Sequence, residues 1–62
     1  MIDDIIIDMT EGGTSLDRLM DCLTVEWEYP IEEVRDAIVR LETEGRVNGW
    51  YENGKPMIGA VE

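Results

Sequence analysis

The sequence predicts an α+β domain in which three helices are followed by a C-terminal β-hairpin. Apolar residues recur at helical spacing in three segments, which are separated by Gly12, Gly13 and Pro30. After Gly45 the pattern changes from the helical period to alternation, as in a strand. The dipeptide Asn53-Gly54 then supplies the residues that a tight two-residue hairpin turn requires. The 62 residues are expected to form a single domain.

The first helix is indicated by apolar residues that share one helical face. These residues are Ile2, Ile5, Ile6 and Met9. Ile7 lies off this stripe, so either the helix is covered on two sides or Ile7 is exposed. Asp3, Asp4 and Asp8 lack the spacing of a calcium loop. We expect them to be solvated acids at the start of the helix, where the helix dipole favours negative charge.

A second helix is predicted for residues 15–27. Thr14 and Asp17 have the spacing of a capping box at its start. Its core-facing stripe follows the helical period over three turns and consists of Leu16, Leu19, Met20, Leu23 and Trp27. Cys22 lies at the edge of this stripe, with no His or Lys nearby in sequence, and is expected to be a half-buried structural thiol.

The third helix is expected to start at Pro30 or Ile31 and to end at Gly45, because proline suits a first helical position and glycine a position just past the last. Its buried face is predicted to consist of Val34, Ala37, Ile38 and Leu41. The opposite face carries Glu32, Glu33, Asp36, Val39, Arg40 and Thr43, with Arg35 at its flank. This outward face therefore carries more acidic than basic residues.

Residues 46–52 and 55–61 are the two predicted strands of the hairpin. The two-residue loop predicts a register with five cross-strand pairs: Glu52 with Lys55, Tyr51 with Pro56, Trp50 with Met57, Gly49 with Ile58, and Val47 with Ala60. Pro56 then lies at a non-hydrogen-bonded position, where it needs no N–H. One face carries Trp50 and Met57 and the other carries Val47, Ile58 and Ala60; the sequence leaves open which face is buried.

Composition limits the classes of function. Fifteen Asp and Glu against five Lys and Arg give a net charge of −10, which opposes contact with phosphate backbones and favours protein partners. A single cysteine and the lack of histidine leave no internal disulfide, no usual zinc ligand set and no acid–base or nucleophile constellation. We therefore expect no catalytic, metal or cofactor site. With no signal-peptide flank and no long apolar run, the chain is expected to be cytoplasmic and not in a membrane.

The chain resembles the winged-helix family of helix-turn-helix domains over nearly its whole length. The resemblance rests on a helix of the form Val-x-x-Ala-Ile-x-x-Leu-x-x-x-Gly followed by a hairpin wing. The matching positions are Val34, Ala37, Ile38, Leu41 and Gly45, with residues 46–60 as the wing. It implies a winged helix-turn-helix fold over nearly the whole chain. Family members mostly bind DNA by placing the third helix in the major groove and the wing against the backbone.

Three functional hypotheses follow from these observations. The first is a protein-interaction module, an adaptor or a subunit of a transcription- or replication-related assembly that also forms a homodimer, with Trp50, Met57, Tyr29 and Val39 at the interface. The alternative is a DNA-binding regulator whose acidity is offset by a saline cytoplasm or a basic partner chain, with Arg35, Arg40, Arg46 and Lys55 as the contacts. A third, weaker hypothesis is that the acidic surface imitates DNA.

Overall fold

The structure is a computed structural model that describes residues 2–61, which form three helices and a three-stranded antiparallel sheet. The order along the chain is α1 (Ile2–Thr10), β1 (Thr14–Ser15), α2 (Leu16–Asp21) with a π-helical continuation (Cys22–Glu26), α3 (Ile31–Thr43), β2 (Val47–Glu52) and β3 (Lys55–Ala60). The strands lie in the order β1-β3-β2. This α+β architecture is compatible with a winged helix.

The hairpin has the register that the sequence predicts. All five predicted pairs are present between β2 and β3, and Asn48 pairs with Gly59 between them. Asn53 and Gly54 have φ values of 51° and 81°, as a type I′ turn requires. The observed register is therefore the one that this two-residue turn sets.

The short strand β1 was missed by the sequence analysis. Thr14 and Ser15 pair with Ile58 and Met57 of β3, so β3 becomes the central strand of the sheet. The capping box predicted for Thr14 was wrong, because Ser15 is the N-cap and its Oγ accepts a hydrogen bond from the Arg18 N–H at 3.1 Å. A two-residue strand is too short to produce a periodic signal.

The core lies between the three helices and the inner face of the sheet. Its fully or nearly fully buried apolar residues are Ile2, Ile6, Leu19, Leu23, Val34, Ala37, Leu41, Val47 and Ile58. Ile7 is half-buried and packs against this core, so α1 is covered on two sides. Thr10 is the buried polar residue, and its Oγ1 donates a hydrogen bond to the Ile6 carbonyl at 2.7 Å.

The predicted burial of Trp27 was wrong, since 53% of this residue is exposed. The second helix changes to π geometry after Asp21, and the Trp27 N–H bonds to the Cys22 carbonyl, five residues back, at 3.2 Å. A π turn contains about one residue more than an α turn, so Trp27 is rotated away from the buried stripe that contains Leu19 and Leu23. Leu23 is therefore the last buried residue of this helix.

Glu28 ends the second helix in a left-handed conformation, with φ of 56°. The Tyr29 N–H closes the end by bonding to the Leu23 carbonyl at 3.0 Å. Because a side chain at such a position carries a steric cost that glycine avoids, we expect Glu28→Gly to raise the free energy of unfolding by about 0.5–1 kcal/mol. Denaturant unfolding followed by circular dichroism measures this change.

Glu44→Gly is the matched control for that prediction. Glu44 is the C-cap of α3 and has a right-handed φ of −77°, so glycine relieves no strain there. The extra backbone freedom of its unfolded state should lower stability instead. Equal changes in the two variants would contradict the explanation based on φ.

Among residues 2–61, no helix combines the length and the apolar composition that crossing a membrane would require.

Candidate functional site

The outward face of α3 is the candidate functional site, and its orientation follows from the buried stripe. Val34, Ala37 and Leu41 are at most 1% exposed, which turns the opposite side of the helix to solvent. The exposed residues on that side are Glu32, Glu33, Asp36, Val39, Arg40 and Thr43. The face is therefore acidic around an exposed valine, as the sequence predicts. We call it the α3 face.

Arg40 forms an ion pair that the sequence did not reveal. Its Nη2 donates a hydrogen bond to the Oδ1 of Asp3 in α1, so Asp3 is not simply solvated as expected. The two side chains are 49% and 22% exposed, so the pair contributes little to stability. Its electrostatic effect is nevertheless clear, because the one arginine on the outward side of α3 has a carboxylate beside it.

Arg35 lies on the other flank of α3 and is exposed. It lines a shallow groove of about 270 Å³ between α2 and α3 with Leu16, Asp17, Met20, Ile38 and Val39. A neighbouring hollow is lined by Arg35, Val39 and two carboxylates of the α3 face, Glu32 and Asp36. Arg35 therefore lines these hollows together with acidic residues.

The remaining cations of the DNA-binding hypothesis lie at opposite ends of the hairpin. Arg46 immediately precedes β2, and Lys55 follows the turn and pairs with Glu52 across the strands. A six-residue strand separates them by roughly 20 Å. The structure thus does not bring Arg35, Arg40, Arg46 and Lys55 together into one basic stripe.

The outer face of the hairpin carries Trp50 and Met57. Val47 and Ile58 are 2% and 3% exposed and face the helices, which decides the alternative that the sequence left open. Trp50 is 36% exposed, and its indole lies over Gly59 and Gly13. Met57, its cross-strand partner, is half-buried. We call this pair the Trp50 patch.

The four predicted interface residues are divided between two surfaces and the core. Val39 lies on the α3 face, whereas Trp50 and Met57 lie on the side of the sheet that faces away from the helices. Tyr29 is half-buried and packs against the core. The sequence also missed the exposure of Trp27 and Ile31, which flank the turn before α3.

Cys22 has the properties of an unreactive thiol. It is half-buried, and its Sγ donates a hydrogen bond to the Glu26 carboxylate at 2.9 Å. This hydrogen bond, together with desolvation and the nearby negative charges of Glu26 and Asp21, raises the pKa of the Cys22 thiol above its ordinary value. Since the thiolate is the nucleophile, a raised pKa lowers reactivity at neutral pH.

Comparison of the chain with protein-family models, with curated proteins and with solved structures gives no match. Within residues 2–61, no group of three or more His, Cys, Asp or Glu side chains is placed to hold a metal ion. The function is therefore inferred from the charges and contacts of the α3 face.

Proposed function

We propose that this chain is a winged-helix protein-interaction module whose α3 face binds a basic protein surface. The chain would act as an adaptor or as a subunit of a transcription- or replication-related assembly. The observation that carries the proposal is the charge of the α3 face, where Glu32, Glu33 and Asp36 lie outward and Arg40 is paired with Asp3. The position of β1 between the first two helices, and the pairing of β1 with the hairpin, support the winged-helix assignment.

The chemistry of this face defines the partner. Val39, which is 61% exposed, offers an apolar contact, and it lines a hollow together with Glu32 and Asp36. A complementary surface presents an apolar side chain flanked by Lys or Arg. The net charge of −10 would speed the approach of such a partner and make its association rate sensitive to salt.

The charge of the α3 face disfavours binding to DNA. Binding to a duplex gains much of its affinity from Lys and Arg that neutralise several phosphates. Here Arg35 lines a hollow together with Glu32 and Asp36, and Arg40 is ion-paired. Arg46 and Lys55 are far apart on the hairpin. If α3 docked in the major groove of DNA, its three outward carboxylates would face the phosphates.

Charge reversal of the α3 face tests the proposal. We expect Glu32→Lys/Glu33→Lys/Asp36→Lys to weaken binding of a Lys- and Arg-rich amphipathic peptide at least about tenfold, because three charges that attract the peptide become repulsive. The same variant should bind duplex DNA more strongly, because three charges that repel phosphate become attractive. Fluorescence anisotropy titrations of both labelled probes at two salt concentrations give the measurement.

Asp8→Lys/Glu11→Lys/Asp21→Lys is the matched control. These three residues are exposed and lie off α3, so the variant has the same net charge but keeps the α3 face. It should keep a larger share of the peptide affinity than the α3 variant. Wild-type binding to DNA at physiological salt that is lost in Arg35→Ala would instead favour the DNA-binding alternative.

A further inference from the structure

The open edge of β2 is the strongest unexplained feature of the structure. The strand order β1-β3-β2 leaves β2 at the edge of the sheet formed by the described residues. Every residue of β2 after Val47 is exposed. An exposed edge strand is a template for pairing with another strand.

The hydrogen-bond phase shows which backbone groups of β2 are free to pair. The Val61 N–H bonds to the Arg46 carbonyl at 2.9 Å, which makes residues 46 and 61 a hydrogen-bonded pair. Hydrogen-bonded and non-hydrogen-bonded pairs alternate in an antiparallel ladder. Residues 48, 50 and 52 therefore bond to β3, whereas the N–H and C=O groups of Val47, Gly49 and Tyr51 point to the open edge.

This edge lacks three of the features that usually prevent strand addition. Natural edges are protected by lysine, proline or a bulge. The only proline of the hairpin, Pro56, lies in β3, and β2 pairs with β3 through six consecutive residues without a bulge. Neither lysine nor proline occurs in β2. The edge is therefore open to a strand of suitable charge.

Arg46, which immediately precedes β2, and Glu52, the last residue of β2, carry charges that complement those of a second, antiparallel copy. Both strands must present residues 47, 49 and 51 to each other, and one such register has its two-fold axis at Gly49. It places Arg46 opposite Glu52 of the second copy at both ends, and Val47 opposite Tyr51. The neighbouring registers with the same hydrogen-bond phase are shifted by two residues, and a shift in either direction would remove both opposite-charge pairs. Cross-strand pairs of opposite charge stabilise a sheet, and like charges destabilise it.

We propose that two copies of this chain join through their β2 edges in this register, to form one continuous six-stranded sheet. Tyr51, which is 77% exposed in one copy, would then lie beside Val47 of the other and lose part of its exposure. Trp50 lies opposite Asn48 and diagonal to Trp50 of the second copy, so the two Trp50 patches lie on the same face of the joined sheet. The helices of both copies lie on the other face, because this two-fold axis is perpendicular to the sheet.

Charge exchange at the ends of the ribbon tests the register. Arg46→Glu and Glu52→Arg should each weaken self-association about tenfold, because each places like charges opposite one another twice. The double variant should restore it. Sedimentation velocity over a concentration series at physiological salt gives the association constants, and circular dichroism confirms that each variant is folded.

The two single variants separate register from net charge. If only overall repulsion mattered, Glu52→Arg would strengthen association, because it makes the chain less negative. Arg18→Glu is the control for Arg46→Glu, since Arg18 lies on α2, which follows the strand at the far edge of the sheet. Association that does not respond to the charge exchange, or a wild-type chain that stays monomeric at millimolar concentration, would overturn the proposal.

Hydrogen exchange gives a second, backbone-level test. At high protein concentration the amides of Val47, Gly49 and Tyr51 should become protected, whereas those of Asn48 and Trp50 are protected at every concentration. A dimer whose odd-numbered amides stay unprotected would disprove edge pairing. This proposal goes beyond the proposed function and is tested apart from it, because peptide titrations report on the α3 face and exchange reports on the β2 edge.

Discussion

Leu41→Ala is expected to remove most of the stability of the domain. Leu41 is fully buried, and its carbonyl also accepts the Arg46 N–H at 2.8 Å at the end of α3. Truncation of a buried leucine costs about 2–5 kcal/mol, through lost burial and the cavity that remains. A domain of this length has a total stability of roughly 3–9 kcal/mol. The loss is therefore comparable to the whole, and the α3 face would lose its support.

Thermal and urea unfolding followed by circular dichroism measure this effect. We expect a fall in Tm of roughly 10–30 °C for Leu41→Ala. Val39→Ala is the matched control, because Val39 lies on the same helix but is 61% exposed, and its truncation should change stability by less than about 0.5 kcal/mol. Similar losses in the two variants would show that α3 is not buried along the Val34–Leu41 stripe.

Gly59→Ala is expected to displace the indole of Trp50. A β carbon at position 59 would lie 2.9 Å from Cη2 and 3.0 Å from Cζ3 of Trp50, closer than carbon atoms normally approach. Gly13 lies next to Gly59 under the same end of the indole, with its Cα 3.5 Å from that β carbon, so the added methyl group has little room. Overpacking of this kind costs about 1–3 kcal/mol.

Tryptophan fluorescence reports the displacement if Trp27 is first changed to Phe. We expect a red-shifted emission and a lower unfolding midpoint for Gly59→Ala in that background. Gly49→Ala is the control, because a β carbon at position 49 would have its nearest neighbours at 3.5 Å, an ordinary contact distance. Trp50→Ala should make position 59 tolerant of alanine. If it does not, the clash with the indole is not the cause.

The hairpin was the most predictable part of the fold. Its register depends on a two-residue turn at Asn53-Gly54, which is encoded locally, and all five predicted pairs are present. The buried faces of α1 and α3 were also predictable, because the helical period alone identifies them. Since the buried face of α3 determines its outward side, the acidic character of the candidate site was predictable too.

Three features were not predictable, each because a contact distant in sequence or a small backbone change decides it. β1 exists only because β3 lies beside Thr14 and Ser15. Arg40 meets Asp3 across 37 positions, and a net charge does not specify such a pair. Trp27 leaves the core through a π turn, which the spacing of apolar residues does not reveal.

The sequence by itself determined the three helices, the hairpin register and the acidic outward side of α3, because periodicity and turn chemistry act over a few residues. Only the tertiary structure decided which hairpin face is buried, and so where Trp50 lies. Both faces carry apolar residues, and Val47 and Ile58 face the helices because they pack with Leu41 and its neighbours in the core. The open edge of β2 is likewise a consequence of strand order, which depends on β1 pairing with β3 at the opposite side of the sheet.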